Sequence, residues 1–272
     1  MATDVSALKS TESWAIPVIA RENLPAQFAQ AVATHFAPDE APYMLLNPRQ
    51  DRGKQLSDEK LVCLGKDKLV VFSNDRAPFI ARKDEVLTLR LEELLLAYSM
   101  TISTLVDEIT IAYNAACADL FEPITLALRN KGEAPKDGRM EWQQVNELAA
   151  HDLKFANYMR QLVRDSGPLV DYVLQPEMDV GEKTIAAAHL VILTATELIW
   201  VLNEEKDWAT EPIYGAIVMI APRSRLVASR AIPSPEYGLI HLSITLVGDK
   251  TWSIPFAPNR HEDLERLIAK IG

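Results

Sequence analysis

Apolar residues along this chain fall in short runs broken by turn-forming ones, and one run is written twice. Leu61–Asn74 reads LVCLGKDKLVVFSN, and Leu190–Asn203 reads LVILTATELIWVLN. Leu61, Val62, Leu64, Leu69 and Asn74 recur identically in the second segment. Each segment predicts a strand, a short turn and a second strand, with Lys66-Asp67 or Ala195-Thr196 near the tip. Upstream, Leu24, Phe28, Val32 and Phe36 recur every fourth residue and predict a helix with one apolar stripe, capped by Asn23 and stopped by Pro38. Tyr43–Leu46 predicts a short strand, and the stretch from Asn47 to Lys60 a polar loop. Val86–Leu91 reads as a strand, Glu92–Ala97 as a turn of helix, and Thr101–Tyr113 as another hairpin. Asp119 is placed to cap a helix carrying Phe121, Ile124 and Leu128, with Pro123 in its first turn.

The second half replays this order. A shift of 129 carries Leu24 onto Leu153, Tyr43 onto Tyr172 and Leu61 onto Leu190 without a gap. A shift of 143 carries Ile109, Ile111 and Tyr113 onto Trp252, Ile254 and Phe256, and the last helix of the first half onto Leu264–Ile271. The surplus of the second copy is expected around Tyr214–Val227 and Pro233–Gly238. Glu141–Arg164 predicts one long helix ended by Gly167-Pro168, and Asn259 a cap for the final helix. A repeat of this length sets the domain plan. Residues 1–22 form an N-terminal arm, 23–130 a first unit with its lead helix, 131–140 a linker, and 141–272 a connecting helix and second unit.

The hairpin LVILTATELIWVLN, the strand pair LIHLSITLVGDKTWSIPF and the closing helix NRHEDLERLIAKI together resemble the bacterial pleckstrin-homology-like (PH-like) fold. Glu40 ahead of Tyr43, and Thr194 and Thr196 at the hairpin tip, echo its opening motif; the first copy has Gly65 and Asp67 instead. The resemblance implies an α+β chain of two duplicated PH-like units. Each would be a bent antiparallel sheet or barrel closed by a C-terminal helix, with a lead helix before it.

Charge and chemistry narrow the function classes. The net charge is −10, divided evenly between residues 1–130 and the remainder, so neither half is basic enough to favour a nucleic acid. Cys63 and Cys117 belong to no CxxC or Cys/His run and fit small buried residues of a cytoplasmic protein. The start MATDVSALKSTESW lacks the pattern of a secretory signal. Ile185–Leu202 is apolar, but it carries His189 and Glu197 and reads as a hairpin rather than a membrane span. Membrane contact is therefore expected to be peripheral at most. The nucleophile elbow, dinucleotide, P-loop, zincin and EF-hand patterns are absent, and the five histidines are scattered. No catalytic residue, metal ligand or cofactor is assigned, and the chain is read as non-enzymatic.

One cluster remains, Arg223, Arg225 and Arg230 in PRSRLVASR, with Arg76, Arg82 and Lys83 in the matching region of the first copy. Two functions follow from different classes. One is a protein-interaction or assembly module with an unknown protein partner or self-association. The other is a binding protein for an anionic lipid or phosphorylated ligand, using those three arginines.

Overall fold

The apolar stripe of the lead helix meets the two strands of the first hairpin, and that contact builds the first core. In a computed structural model, which describes residues 14–52, 55–74, 76–94, 97–129, 142–203 and 215–271, the chain is a mixed α+β protein with several antiparallel sheets. It divides into two units, residues 1–86 with 93–128, and residues 87–92 with 129–272. The expected linker at 131–140 lies outside the described residues, as does most of the N-terminal arm.

Unit 1 opens with β1 (Ile16–Pro17) and α1 (Ala26–His35). Then come β2 (Tyr43–Asn47), β3 (Gln50–Arg52), β4 (Gln55–Ser57), β5 (Lys60–Leu64), β6 (Lys68–Ser73) and β7 (Phe79–Arg82). One antiparallel sheet runs in the order β1-β2-β5-β6-β7. Leu24, Phe28, Val32 and Phe36 bury against Met44, Leu46, Leu61, Cys63, Val70 and Phe72. Each large side chain buried this way stabilises by about 1.5–3 kcal/mol. Asn23 does not cap α1. It closes a 3-10 turn, and Pro25, held extended at ψ 139°, sets the helix start one residue later. At the other end, the Arg21 guanidinium donates to the carbonyls of Phe36, Ala37 and Glu40, tying down the chain as it leaves the helix. The expected loop before the hairpin contains the paired strands β3 and β4.

The strand β8 (Thr88–Leu94) replaces the expected turn of helix after Glu92. The hairpin of β9 (Ala97–Ser103) and β10 (Glu108–Asn114) pairs from Ser103↔Glu108 to Ala97↔Asn114. The chain then enters α2 (Ala118–Leu128) through a 3-10 turn at Ala115–Cys117. Asn114 accepts from the Ala116 N–H there, so Asp119 is a first-turn residue and not the cap, and Pro123 lies inside the helix. Tyr113 stacks on Phe121 at 4.0 Å between ring centroids.

Unit 2 begins with two helices where one was expected, α3 (Trp142–His151) and α4 (Leu153–Ser166). Asp152 breaks the run: its backbone is extended, and its carboxylate accepts from the Phe155 N–H at 3.0 Å, which makes it the N-cap of α4. Next come β11 (Leu169–Gln175), β12 (Met178–Val180), β13 (Lys183–Ala186), β14 (His189–Thr194), β15 (Glu197–Asn203) and β16 (Ala216–Pro222). β17 (Leu226–Pro233), β18 (Ile240–Leu246), β19 (Thr251–Phe256) and α5 (His261–Ile271) complete the unit. Residues 87–92 belong here, and β8 is the sheet neighbour of β16, extending the order β16-β15-β14-β11.

The strands β17-β18-β19 form a separate sheet, so the barrel allowed by the sequence does not close among the described residues. The free side of β16 is taken by β8, and Pro222, with no N–H to donate, ends β16 at the corner. α5 buries Leu264, Leu267 and Ile271 into a core with Leu193, Leu242, Ile254 and Phe256. Asp171 on β11 fastens it, receiving Arg266 at 3.0 Å and Lys270 at 2.9 Å. Burial alone would raise the Asp171 carboxyl's pKa; the Arg266 and Lys270 bonds outweigh this and hold it below the ordinary value. The expected Asn259 cap is not made. A 3-10 turn at Pro258–Arg260 leads into α5, and the Ala257 N–H is satisfied by the Gln175 side chain at 2.8 Å.

Candidate interaction site

The three arginines picked out by the sequence lie on two consecutive elements of unit 2. Arg223 and Arg225 occupy the 3-10 turn between β16 and β17, and Arg230 lies further along β17. The turn is set by the hairpin beneath it, because the Arg223 N–H donates to the Thr196 carbonyl at 2.7 Å. The Arg223 guanidinium is engaged by the Lys270 carbonyl near the end of α5, where helix carbonyls lack partners of their own. Arg223 and Arg225 are half-buried and Arg230 is exposed.

β17 is the end strand of its sheet. It pairs with β18 from Leu226↔Leu246 to Pro233↔Ile240, with one bulge between Leu226 and Ala228. Beyond the bulge, Ala228–Pro233 keeps a regular register. Leu226 and Ala231 pack on the core, whereas Val227 is 64% exposed and Ile232 38% exposed. No strand among the described residues lies on the other side of β17. An uncovered edge of this kind presents backbone donors and acceptors to any strand that reaches it.

Among the described residues, no carboxylate lies within ion-pairing distance of Arg223, Arg225 or Arg230. The basic residues of the first half are placed differently. Arg76 pairs with Asp107 and donates to the Glu108 carbonyl, and Arg82 is paired with Asp84 at 3.2 Å. The three arginines of unit 2 are the less compensated of the two sets.

Two buried features of unit 2 were missed in the sequence. Arg129 and Glu197, 3% and 1% exposed, form an ion pair with contacts of 2.7, 3.1 and 3.3 Å. The same guanidinium donates to the Leu162 carbonyl and the Ser166 hydroxyl, tying the pair to α4. A lone charged residue in the otherwise uncharged LTATELIW was the available signal. The second feature is His189, 2% exposed, with its ring edge-on to Phe256 at 4.7 Å and to Trp200 at 6.2 Å. Nδ1 lies 2.8 Å from the Ala187 carbonyl, so it carries the proton. Burial pushes the imidazole pKa down to about 4, and the Ala187 bond opposes this only in part. Trp200 and Trp252 are core neighbours at 6.5 Å, while Trp208 and Tyr214 lie outside the described residues.

Among the described residues no group of three His, Cys, Asp or Glu side chains could hold a metal ion. No helix among them is long and apolar enough to cross a membrane. No family model matches the sequence, and no curated relative matches it.

Proposed function

We propose that the chain is a tandem of two PH-like units that works as a non-enzymatic protein-interaction or assembly module. Strand order supports the tandem. β2-β5-β6-β7 is a four-strand meander with the hairpin β3–β4 inserted after its first strand, and β11-β14-β15-β16 has the same plan with β12–β13 inserted. In both halves a 3-10 turn, three more strands and a helix follow in the chain.

Register supports it as well. Lys68↔Arg82 and Val70↔Ile80 in the first half answer to Glu197↔Pro222 and Ile199↔Ile220 in the second. The Lys83 N–H donates to the Asp67 carbonyl just as the Arg223 N–H donates to the Thr196 carbonyl. On this register Ile80 answers to Ile220, an offset of 140 where the hairpins have 129. Most of the second copy's surplus therefore falls between Asn203 and Ala216, largely outside the described residues and ahead of the Tyr214–Val227 stretch.

The observation that carries the interaction role is sheet-edge addition. β8, from the first half of the chain, fills the edge of unit 2's sheet at β16, while its counterpart β17 has no further strand beside it among the described residues. Strand addition at such an edge gives affinity through the backbone and selectivity through alternate side chains. Light scattering on the purified chain, with intact-mass analysis of whatever accompanies it, tests the proposal. An assembly or a stoichiometric protein companion supports it. A bare monomer that retains no protein partner rejects it.

The lack of facing carboxylates at these arginines among the described residues favours a second reading, a site for an anionic lipid headgroup or phosphate. Changing Arg223, Arg225 and Arg230 together to Glu should abolish binding to phosphoinositide-containing vesicles or to inorganic phosphate. Unchanged binding would remove this alternative.

A further inference from the structure

We infer that β17 of one molecule adds to the open edge of β7 in a second copy of this chain, so that molecules join head to tail. The inference rests on the tandem interaction-module reading and names its partner.

The starting point is a junction the chain already makes. In unit 2 the edge of β16 is covered by β8. On the offset of 140, β16 answers to β7: Phe79-Ile80-Ala81-Arg82 lies on Met219-Ile220-Ala221-Pro222. The 3-10 turn Lys83–Glu85 lies on Arg223–Arg225, and Arg90 of β8 lies on Arg230 of β17. Each half thus carries one acceptor edge and one donor strand of the same type. The donor of the first half occupies the acceptor of the second. The donor of the second half, β17, and the acceptor of the first, β7, are both left as end strands of their own sheets among the described residues.

The two open edges suit each other. Both bear apolar side chains in the open: Ile80 is 45% exposed on β7, and Val227 and Ile232 are 64% and 38% exposed on β17. Such residues on an unpaired edge favour addition of another strand. In an antiparallel pairing, the turn that opens β17, with Arg223 and Arg225, would meet the turn that closes β7, where Asp84 and Glu85 are balanced by Arg82 and Lys83. The pairing therefore rests on the two backbone edges, their apolar side chains and the precedent of β8 on β16. Two different surfaces meet, so the contact is heterologous and links molecules head to tail into rings or open chains.

The test uses the full chain with single exposed cysteines, Arg230→Cys and Ile80→Cys, and a short bismaleimide. The native Cys63 and Cys117 are 0% and 3% exposed, and burial pushes the Cys63 thiol up to about 12, so the added thiols react selectively. An equal mixture of the two variants should give several-fold more cross-linked dimer than either variant alone, and the double variant should give a ladder of multimers. Equal dimer from Arg230→Cys alone would mean that β17 meets β17 and would overturn the inference. Cross-links absent from every sample while wild type remains assembled would also overturn it, yet leave the module reading standing. Cross-links absent from a wild type that is monomeric and carries no partner would overturn both.

Discussion

Replacing Arg129 by Met would leave the Glu197 carboxylate in a site 1% exposed to solvent, with its guanidinium partner gone. Both carboxylate oxygens lose contacts of 2.7–3.3 Å, and the Ser166 hydroxyl and Leu162 carbonyl lose a common donor. Removing one member of a buried pair costs about 3–5 kcal/mol, most of it the penalty of an uncompensated buried charge. With a urea slope of about 2–3 kcal/mol/M, the midpoint should fall by roughly 1–2 M. Tryptophan fluorescence is the natural probe, because Trp142, Trp200, Trp208 and Trp252 all fall in the sequence of unit 2. The double variant Arg129→Met/Glu197→Leu should recover most of the loss, since an apolar pair of similar volume needs no desolvation of charge. A loss below about 1 kcal/mol for Arg129→Met would refute the claim that the pair is sealed from water.

Three further outcomes follow from the same geometry. His189 is neutral in the folded chain down to about pH 4, while in the unfolded chain it takes up a proton near 6.5. Its contribution is therefore complete above pH 6.5 and is lost as pH falls toward 4, an effect of about 3 kcal/mol that His189→Phe should flatten in urea titrations across that window. Asp152→Ala should cost about 1 kcal/mol in the same titrations, by exposing the first N–H groups of α4 without a side-chain acceptor. Gly65→Thr, which copies the second half's Thr194, should destabilise unit 1. A Cβ at Gly65 would lie 2.7 Å from Glu40 Oε1 and 2.9 Å from Phe36 Cε1, and a melting temperature equal to wild type would contradict that crowding.

The hairpins were legible because short apolar runs and the turns between them are local properties. Leu61–Leu64 and Leu69–Phe72 pair as the strand–turn–strand pattern implied, and the lead-helix stripe buries the residues it named. What stayed hidden depended on partners distant in sequence. β8 reads as an ordinary strand, but nothing in TLRLEEL says that β16 will lie beside it. Arg129 borders the polar run beginning at Asn130, so its burial against Glu197 has no local trace. Asp152 sat inside a run of helical period, and only the shared hydrogen bond with Phe155 shows that it starts a second helix. The three arginines were visible as a cluster in sequence, whereas their lack of facing carboxylates depends on the fold around them.

Amide hydrogen exchange at two protein concentrations tests the edge-pairing account most directly. Raising the concentration should slow exchange in Ala228–Pro233 of β17 and in Phe79–Arg82 of β7 together, with little change in β14 or β15, which are already paired on both sides. Exchange in both edge strands that is independent of concentration would contradict it.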